Sequence, residues 1–327
     1  MTTAIVVPSN RPDRLAEFCR AWEPQLHRDD VRLIVVEDAP CPTEGVVPAW
    51  WGQHYCWQDI DDGLGSRGKC IPRKSGGIRD LGFWVAGQDS AVDVVITLDD
   101  DVRPVPGVDL IREHRQALDT GRSLRWWEPV PGFRTRGYPY QMPGTAQAPT
   151  MLNHGLWQGF PDVDALTQLA EQDVAAAFAH CKPSDGLVPP GMYYTQCIMN
   201  VAVRREALPL LWMACLPDGL KRWDDIWSGI IFKRVADLHG WAVSSGHPTV
   251  QHDRASSVVN NLRQEMLGYG MNEEFWQVVD RAPIGGPAGT PLQTWAWIWR
   301  AIGERFPALR ETARLAAVWA GLWEGAA

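Results

Sequence analysis

The chain has 327 residues, 45% hydrophobic and 21% charged, with a net charge of −8. This is ordinary globular composition, enough for one large domain or two small ones with real cores. An acidic balance with no basic block excludes a nucleic-acid surface, and no apolar run reaches the ~18 residues of a membrane span. Residues 1–8 have no basic n-region and no long apolar segment, which argues against a signal peptide. Seven scattered cysteines (Cys19, Cys41, Cys56, Cys70, Cys181, Cys197 and Cys215), none in a CxxC pair, read as reduced thiols of a cytoplasmic protein.

Ala4 to Val7 is an all-apolar strand, and a turn of Pro8, Ser9, Asn10, Arg11 and Pro12 follows. Leu15, Phe18 and Trp22 have helical spacing within 13–22, and Val31 to Val36 is a second strand ending at Glu37 and Asp38. Strand, helix, strand in so short a span predicts a βαβ unit and a parallel, Rossmann-like sheet. Ligands of such sheets bind at the carboxyl ends of the strands, where Pro8, Asn10, Arg11 and Asp38 sit. Gly63 to Lys69 lacks P-loop spacing and reads as a flexible basic loop near an anion. A helix is expected over 75–86, carrying Arg79, and then a third strand over 93–98.

That third strand runs straight into Asp99, Asp100 and Asp101, with Pro104 ending its ladder. Three neighbouring carboxylates repel one another, and a hard divalent cation shared with a phosphate offsets that repulsion. Strand alternation sets Asp99 and Asp101 on one side and turns Asp100 partly away. Beyond this come a helix near 108–118 and a Gly-, Pro- and aromatic-rich segment over 120–150 that contains Arg136. Helices are predicted over 167–179, 205–212 and 224–238, with strands over 197–203 and 241–243 and helical segments over 290–323. Asp224 and Asp225 fall in the first turn of a helix, where the dipole alone explains acids. No GxGxxG follows the first strand, so neither NAD nor flavin is expected.

Four motifs appear in order: Asp99 to Asp101, the Arg136-Gly137-Tyr138-Pro139 loop, Asn153 to Trp157, and Trp223 to Gly229. In this order the chain resembles the reversibly glycosylated polypeptide family, which includes the plant UDP-arabinopyranose mutases, over about residues 4–276. The resemblance implies an α/β fold of glycosyltransferase A type, with a mixed central sheet. It places a catalytic domain at 1–276 and leaves a C-terminal helical extension at 277–327. It further implies a divalent metal, manganese ahead of magnesium, and interconversion of UDP-arabinopyranose and UDP-arabinofuranose with self-glycosylation on an arginine.

By that resemblance Asp99, Asp101 and His252 are the metal ligands and Arg136 carries the sugar. Pro143 stands where the plant pattern has a second arginine. Arg11, Arg79 and Arg254 are candidates for phosphate or uracil, Asp38 for base or ribose, and Asp100 for the nucleotide sugar. Asp224 and Asp225 are the carboxylates expected to face the reacting sugar, while His154, Trp157, Asp162 and Asp164 are candidates for sugar or loop contacts. The expected partner is a UDP-sugar, and the Trp-rich C-terminal helices either pack on the core or form a homo-oligomer surface. Two other functions use the same contacts: a glycosyltransferase with a separate acceptor, and a non-catalytic sugar-nucleotide-binding subunit.

Overall fold

The computed structural model describes residues 1–48, 51–123, 136–138, 140–141, 147–171, 173–179, 186–253, 257–282 and 289–325. Arg254, Pro143 and Cys181 lie outside them.

The first half alternates strands and helices. It comprises β1 (Thr2–Ser9), α1 (Pro12–Leu26), β2 (Val31–Glu37), β3 (Gly52–Tyr55), α2 (Trp57–Leu64), α3 (Asp80–Gln88), β4 (Val92–Leu98), β5 (Val102–Pro104), α4 (Leu110–Asp119) and β6 (Gly121–Ser123). The second half holds β7 (Gln147–Gly159), α5 (Ala165–Ala170), α6 (Val174–Ala179), β8 (Gly186–Leu187), β9 (Asn200–Arg204), α7 (Asp224–Leu238), β10 (Ala242–His252), α8 (Val258–Arg281), α9 (Pro291–Arg305) and α10 (Arg310–Glu324).

Among the described residues the strands form one mixed sheet in the order β3-β2-β1-β4-β9-β7-β10-β5, with β6 on β7 and β8 on β10. The four strands from β3 to β4 are parallel, as the βαβ pattern requires. β9 then runs antiparallel between β4 and β7, and β10 returns parallel to β7. The α/β class with a mixed sheet and C-terminal helices is therefore as expected.

Strand alternation divides the core into two. Ile5 and Val7 of β1 face a cluster built with Leu15, Phe18 and Trp22 of α1, while Ala4 and Val6 face the opposite one. The second cluster is the larger and takes in Trp227 of α7, Phe275 of α8, Trp295 and Trp299 of α9, and Trp319 of α10. The C-terminal helices thus belong to the main core. The expected division at 276/277 falls inside α8, a single continuous helix.

Several elements differ from expectation. The helix over 167–179 is two short ones, α5 and α6. Residues 205–211 form a 3-10 helix with Pro209 inside it. Gly63 to Lys69 is the end of α2 and a 3-10 turn, not an open loop.

Candidate functional site

β1, β2 and β4 are parallel neighbours, so their carboxyl ends meet at one edge of the sheet. Ser9 to Arg11, Asp38 and Asp99 to Asp101 follow those ends. Two cavities open there. The smaller, about 160 Å³, is lined by Pro8, Asn10, Asp38, Ile78 and Asp100 among others. The larger, about 930 Å³, runs beneath α7 and α8. Arg11, Ser75, Gly76, Arg79 and Asp99 line both.

The three acids divide their work through two arginines. Asp100 is buried, accepts the Ser9 hydroxyl at 2.6 Å and pairs with Arg11. Burial raises its carboxyl, with the Arg11 and Ser9 bonds opposing the shift. Asp100 therefore serves mainly to hold Arg11 and faces inward instead of toward solvent. Arg11 reaches on to Asp101 at 3.1 Å. Arg79 is 2% exposed and donates to Gly76 O, Thr97 Oγ1 and Ile198 O. Its remaining nitrogen holds Asp99 Oδ1 at 2.5 Å. So committed a guanidinium orients Asp99 and has little left for a ligand. Asp38 uses Oδ1 twice, accepting Trp57 Nε1 at 2.7 Å and the Lys74 amide at 2.9 Å.

The facing wall begins at α7. Asp224 Oδ1 accepts the Asp225 amide, and Asp225 Oδ1 accepts the Ile226 amide, so both acids bond amides in the first turn of their own helix, where the dipole favours them. Both also line the large cavity. Burial pushes both carboxyls up, and the neighbouring Asp224 charge pushes Asp225 further. Asp162 lies on the same wall, and its Oδ2 accepts the Cys197 thiol at 2.6 Å. Glu265 of α8 accepts the Ala165 amide and the Tyr269 hydroxyl beside it.

His252, at the end of β10, completes that wall. Its Nδ1 donates to Phe160 O at 2.8 Å, which leaves Nε2 as the ring nitrogen with a lone pair. Asp99, Asp101 and His252 thus line one cavity, and their donor types, two carboxylates and an imidazole, are ones that ligate divalent ions. Among the described residues no three His, Cys, Asp or Glu are gathered closely enough to hold a metal by themselves.

Other expected site residues are elsewhere. His154 is buried in β7, its Nε2 accepting the Cys197 amide and its Nδ1 paired with Tyr194. Burial drops its imidazole to about 3, so it stays neutral. Trp157 packs in the core with Val250 and Met199. Neither lines either of these two cavities. In the same motif, a Cβ on Gly155 would meet Asn200 Nδ2 and Pro248 O at 2.3 Å, so the motif serves strand packing. Arg136 stands in an exposed turn and lines neither cavity. Sequence reasoning missed Ser75, Gly76, Gln196, Glu265 and Tyr269, which no charge pattern distinguishes from ordinary surface positions.

The model of the family described as reversibly glycosylated polypeptide matches residues 2–323. The chain is 30% identical to probable UDP-arabinopyranose mutase 4 of Arabidopsis thaliana, over 98% of its own length and 90% of the relative's. To UDP-arabinopyranose mutase 1 of Oryza sativa subsp. japonica it is 29% identical, over 84% and 74%. Solved structures are more distantly similar. Glucosyl-3-phosphoglycerate synthase from Mycobacterium tuberculosis, with Mn2+, UDP-glucose and phosphoglyceric acid, superposes with TM-score 0.45 at 13% identity, covering 83% of this chain and 79% of that one. Mannosyl-3-phosphoglycerate synthase from Rubrobacter xylanophilus gives 0.43 at 15% identity, covering 89% and 79%. With a family model spanning nearly its full length, the chain belongs to the reversibly glycosylated polypeptide family.

Proposed function

We propose that this chain is a metal-dependent UDP-sugar enzyme that interconverts the pyranose and furanose forms of UDP-arabinose. The observation that carries the reading is the Asp224–Asp225 pair, both raised by burial, on the same cavity as Asp99, Asp101 and His252. The names of its relatives in the family agree with it.

Ring contraction needs a proton removed from one hydroxyl and delivered to another oxygen. The bond from C1 to the diphosphate oxygen breaks, and its electron pair leaves with the diphosphate. The C4 hydroxyl oxygen bonds to C1 as its proton passes to the carboxylate pair. The C1–O5 bond then breaks, O5 takes that proton back, and the diphosphate oxygen returns to C1. Two neighbouring carboxyls held above the usual carboxylate range by burial suit this exchange, because they accept and return a proton readily. Asp38 accepts from the base or ribose, and Arg11 and Asp101 face the diphosphate. Asp99, Asp101 and His252 are the residues that would hold a divalent ion together with the diphosphate, and the ion would supply charge neutralisation as a Lewis acid.

A sugar-transfer reading is favoured by one observation, that Arg136 lines neither cavity. Purified protein with UDP-arabinopyranose and Mn2+ separates the two. The expected outcome is UDP-arabinofuranose by chromatography, together with a pentose adduct by intact mass that Arg136→Ala abolishes. No furanose product, with sugar appearing instead on an added acceptor, overturns the mutase reading; furanose without an adduct overturns the role of Arg136 alone.

A further inference from the structure

Between the two cavities runs a ridge formed by residues 74–76. Ser75 and Gly76 line both cavities, and Lys74 lines the larger. Three observations single out Lys74. First, its φ is +59°, and among the described residues it is the one non-glycine in the left-handed region. Glycine occupies such a position without strain, whereas a lysine there holds a backbone conformation that side chains disfavour. Second, its amide donates to Asp38 Oδ1 at 2.9 Å, which ties the ridge to the small cavity. Third, the charges on the large cavity's wall leave it alone. Arg11 is paired with Asp100 and Asp101, Arg79 with Asp99, Lys221 with Asp218, and Arg222 with Glu265. Among the described residues, Lys74 is the one lysine or arginine on that wall with no carboxylate within ion-pair distance.

We propose that Lys74 is the cation that meets the diphosphate of the nucleotide where it crosses from the small cavity into the large one. This rests on the UDP-sugar reading above and adds a residue to it. The wall is otherwise acidic, with Asp99, Asp101, Asp162, Asp224 and Asp225 on it. A diphosphate entering there needs a cation not already neutralised by protein. A lysine ammonium on a flexible stem follows the charge as it builds on the leaving oxygen. The backbone link to Asp38 makes the position of the ammonium depend on the same carboxylate that faces the base or ribose.

The test uses the full chain and calorimetric titration with uridine, UDP and UDP-arabinopyranose, each with Mn2+ and with EDTA. Lys74→Gly keeps the backbone conformation and removes the charge. It is expected to weaken UDP roughly 10- to 100-fold, the range of one charge-assisted hydrogen bond. Uridine binding is expected to stay unchanged. Lys74→Arg is expected to keep most of the UDP affinity, and Lys69→Met, off the cavity, all of it. UDP bound as tightly by Lys74→Gly as by the unaltered protein overturns the proposal and leaves the UDP-sugar reading standing. Equal losses for uridine and UDP also overturn it, because the fault then lies in the Asp38 arrangement. Failure of the unaltered protein to bind UDP at all overturns both.

Discussion

Asp80 follows Arg79 directly, yet its carboxyl is wholly buried and lines neither cavity. Both its oxygens accept the Met213 amide, at 3.0 and 3.2 Å. Burial holds its carboxyl well above the usual range, with that bond and Arg79 opposing. A native value above the unfolded ~3.9 means the folded chain binds this proton more tightly. The resulting stability is complete below the unfolded value and is lost as pH rises through the native one. Asp80→Asn stays neutral throughout, so calorimetry is expected to show a larger gain in Tm at pH 8 than at pH 4; a gain that does not depend on pH sinks this account. Residues of this kind also mark what could be read in advance. Asp99, Asp101, Asp224 and Asp225 stand out in the sequence because carboxylates gathered at a strand end or helix start have few packing reasons to be there, and the structure sets all four on one cavity. His154 and Trp157 are expected at the sugar and line neither cavity, because a motif does not say which side of a strand faces a cavity. The pairing of β7 with both β9 and β10 decides that.

At the scale of elements, β1, β2 and β4 were legible as short apolar runs buried along nearly their whole length, and α1 and α7 by the helical spacing of their apolar residues. Two long elements were not. β7 carries Asn153 and His154 in its middle, and their polar groups are satisfied by His114, Tyr194 and the His247 carbonyl, so no apolar alternation signals the strand. α8 buries Asn261, Glu265 and Gly268 ahead of Phe275 and Val279 and exposes Met266, Leu267 and Trp276, so its apolar residues alone do not mark the buried face. Its small residue has a reason. A Cβ on Gly268 would stand 1.8 Å from Trp223 Nε1, which donates to Glu265 O. Trp223 immediately precedes Asp224, so α8 sets the start of α7 through this ring. Gly268→Ala is expected to cost about 1–3 kcal/mol of stability by overpacking and to lower turnover as the acid pair shifts. Gly270, where a Cβ meets nothing within 4 Å, is the control: Ala there is expected to add roughly 0.4–1 kcal/mol with turnover unchanged. Thermal unfolding and initial rates on both variants check the pair, and equal behaviour removes Trp223 from the argument.

For the molecule as a whole, the question is what the helices after 276 contribute. No apolar repeat distinguishes a helical tail from a core wall, so residues 277–327 could be read as an extension. The contacts place them otherwise. Trp295 and Trp299 meet Trp212 edge-on at 5.8 and 5.4 Å, and Trp212 Nε1 donates to Cys70 O beneath the first half of the sheet. Phe275 stacks on Trp227 of α7 at 4.4 Å and meets Phe306 at 6.2 Å. Trp319 Nε1 donates to Pro209 O, and a Cβ on Gly87 of α3 would strike the Trp323 ring at 2.2 Å. Each of these buried aromatics contributes about 1.5–3 kcal/mol by area alone, and together they match the whole stability of a typical domain. The same core supports α7, and through it the carboxylate pair. A chain ending at Glu274 therefore loses the wall on which α7 rests. It is expected to show no cooperative thermal transition, to bind a hydrophobic dye, and to have no UDP-sugar turnover. A truncated chain that still melts cooperatively and turns over would show the two parts to be independent. It would also return the tryptophans of α9 and α10 to the role of a self-association surface.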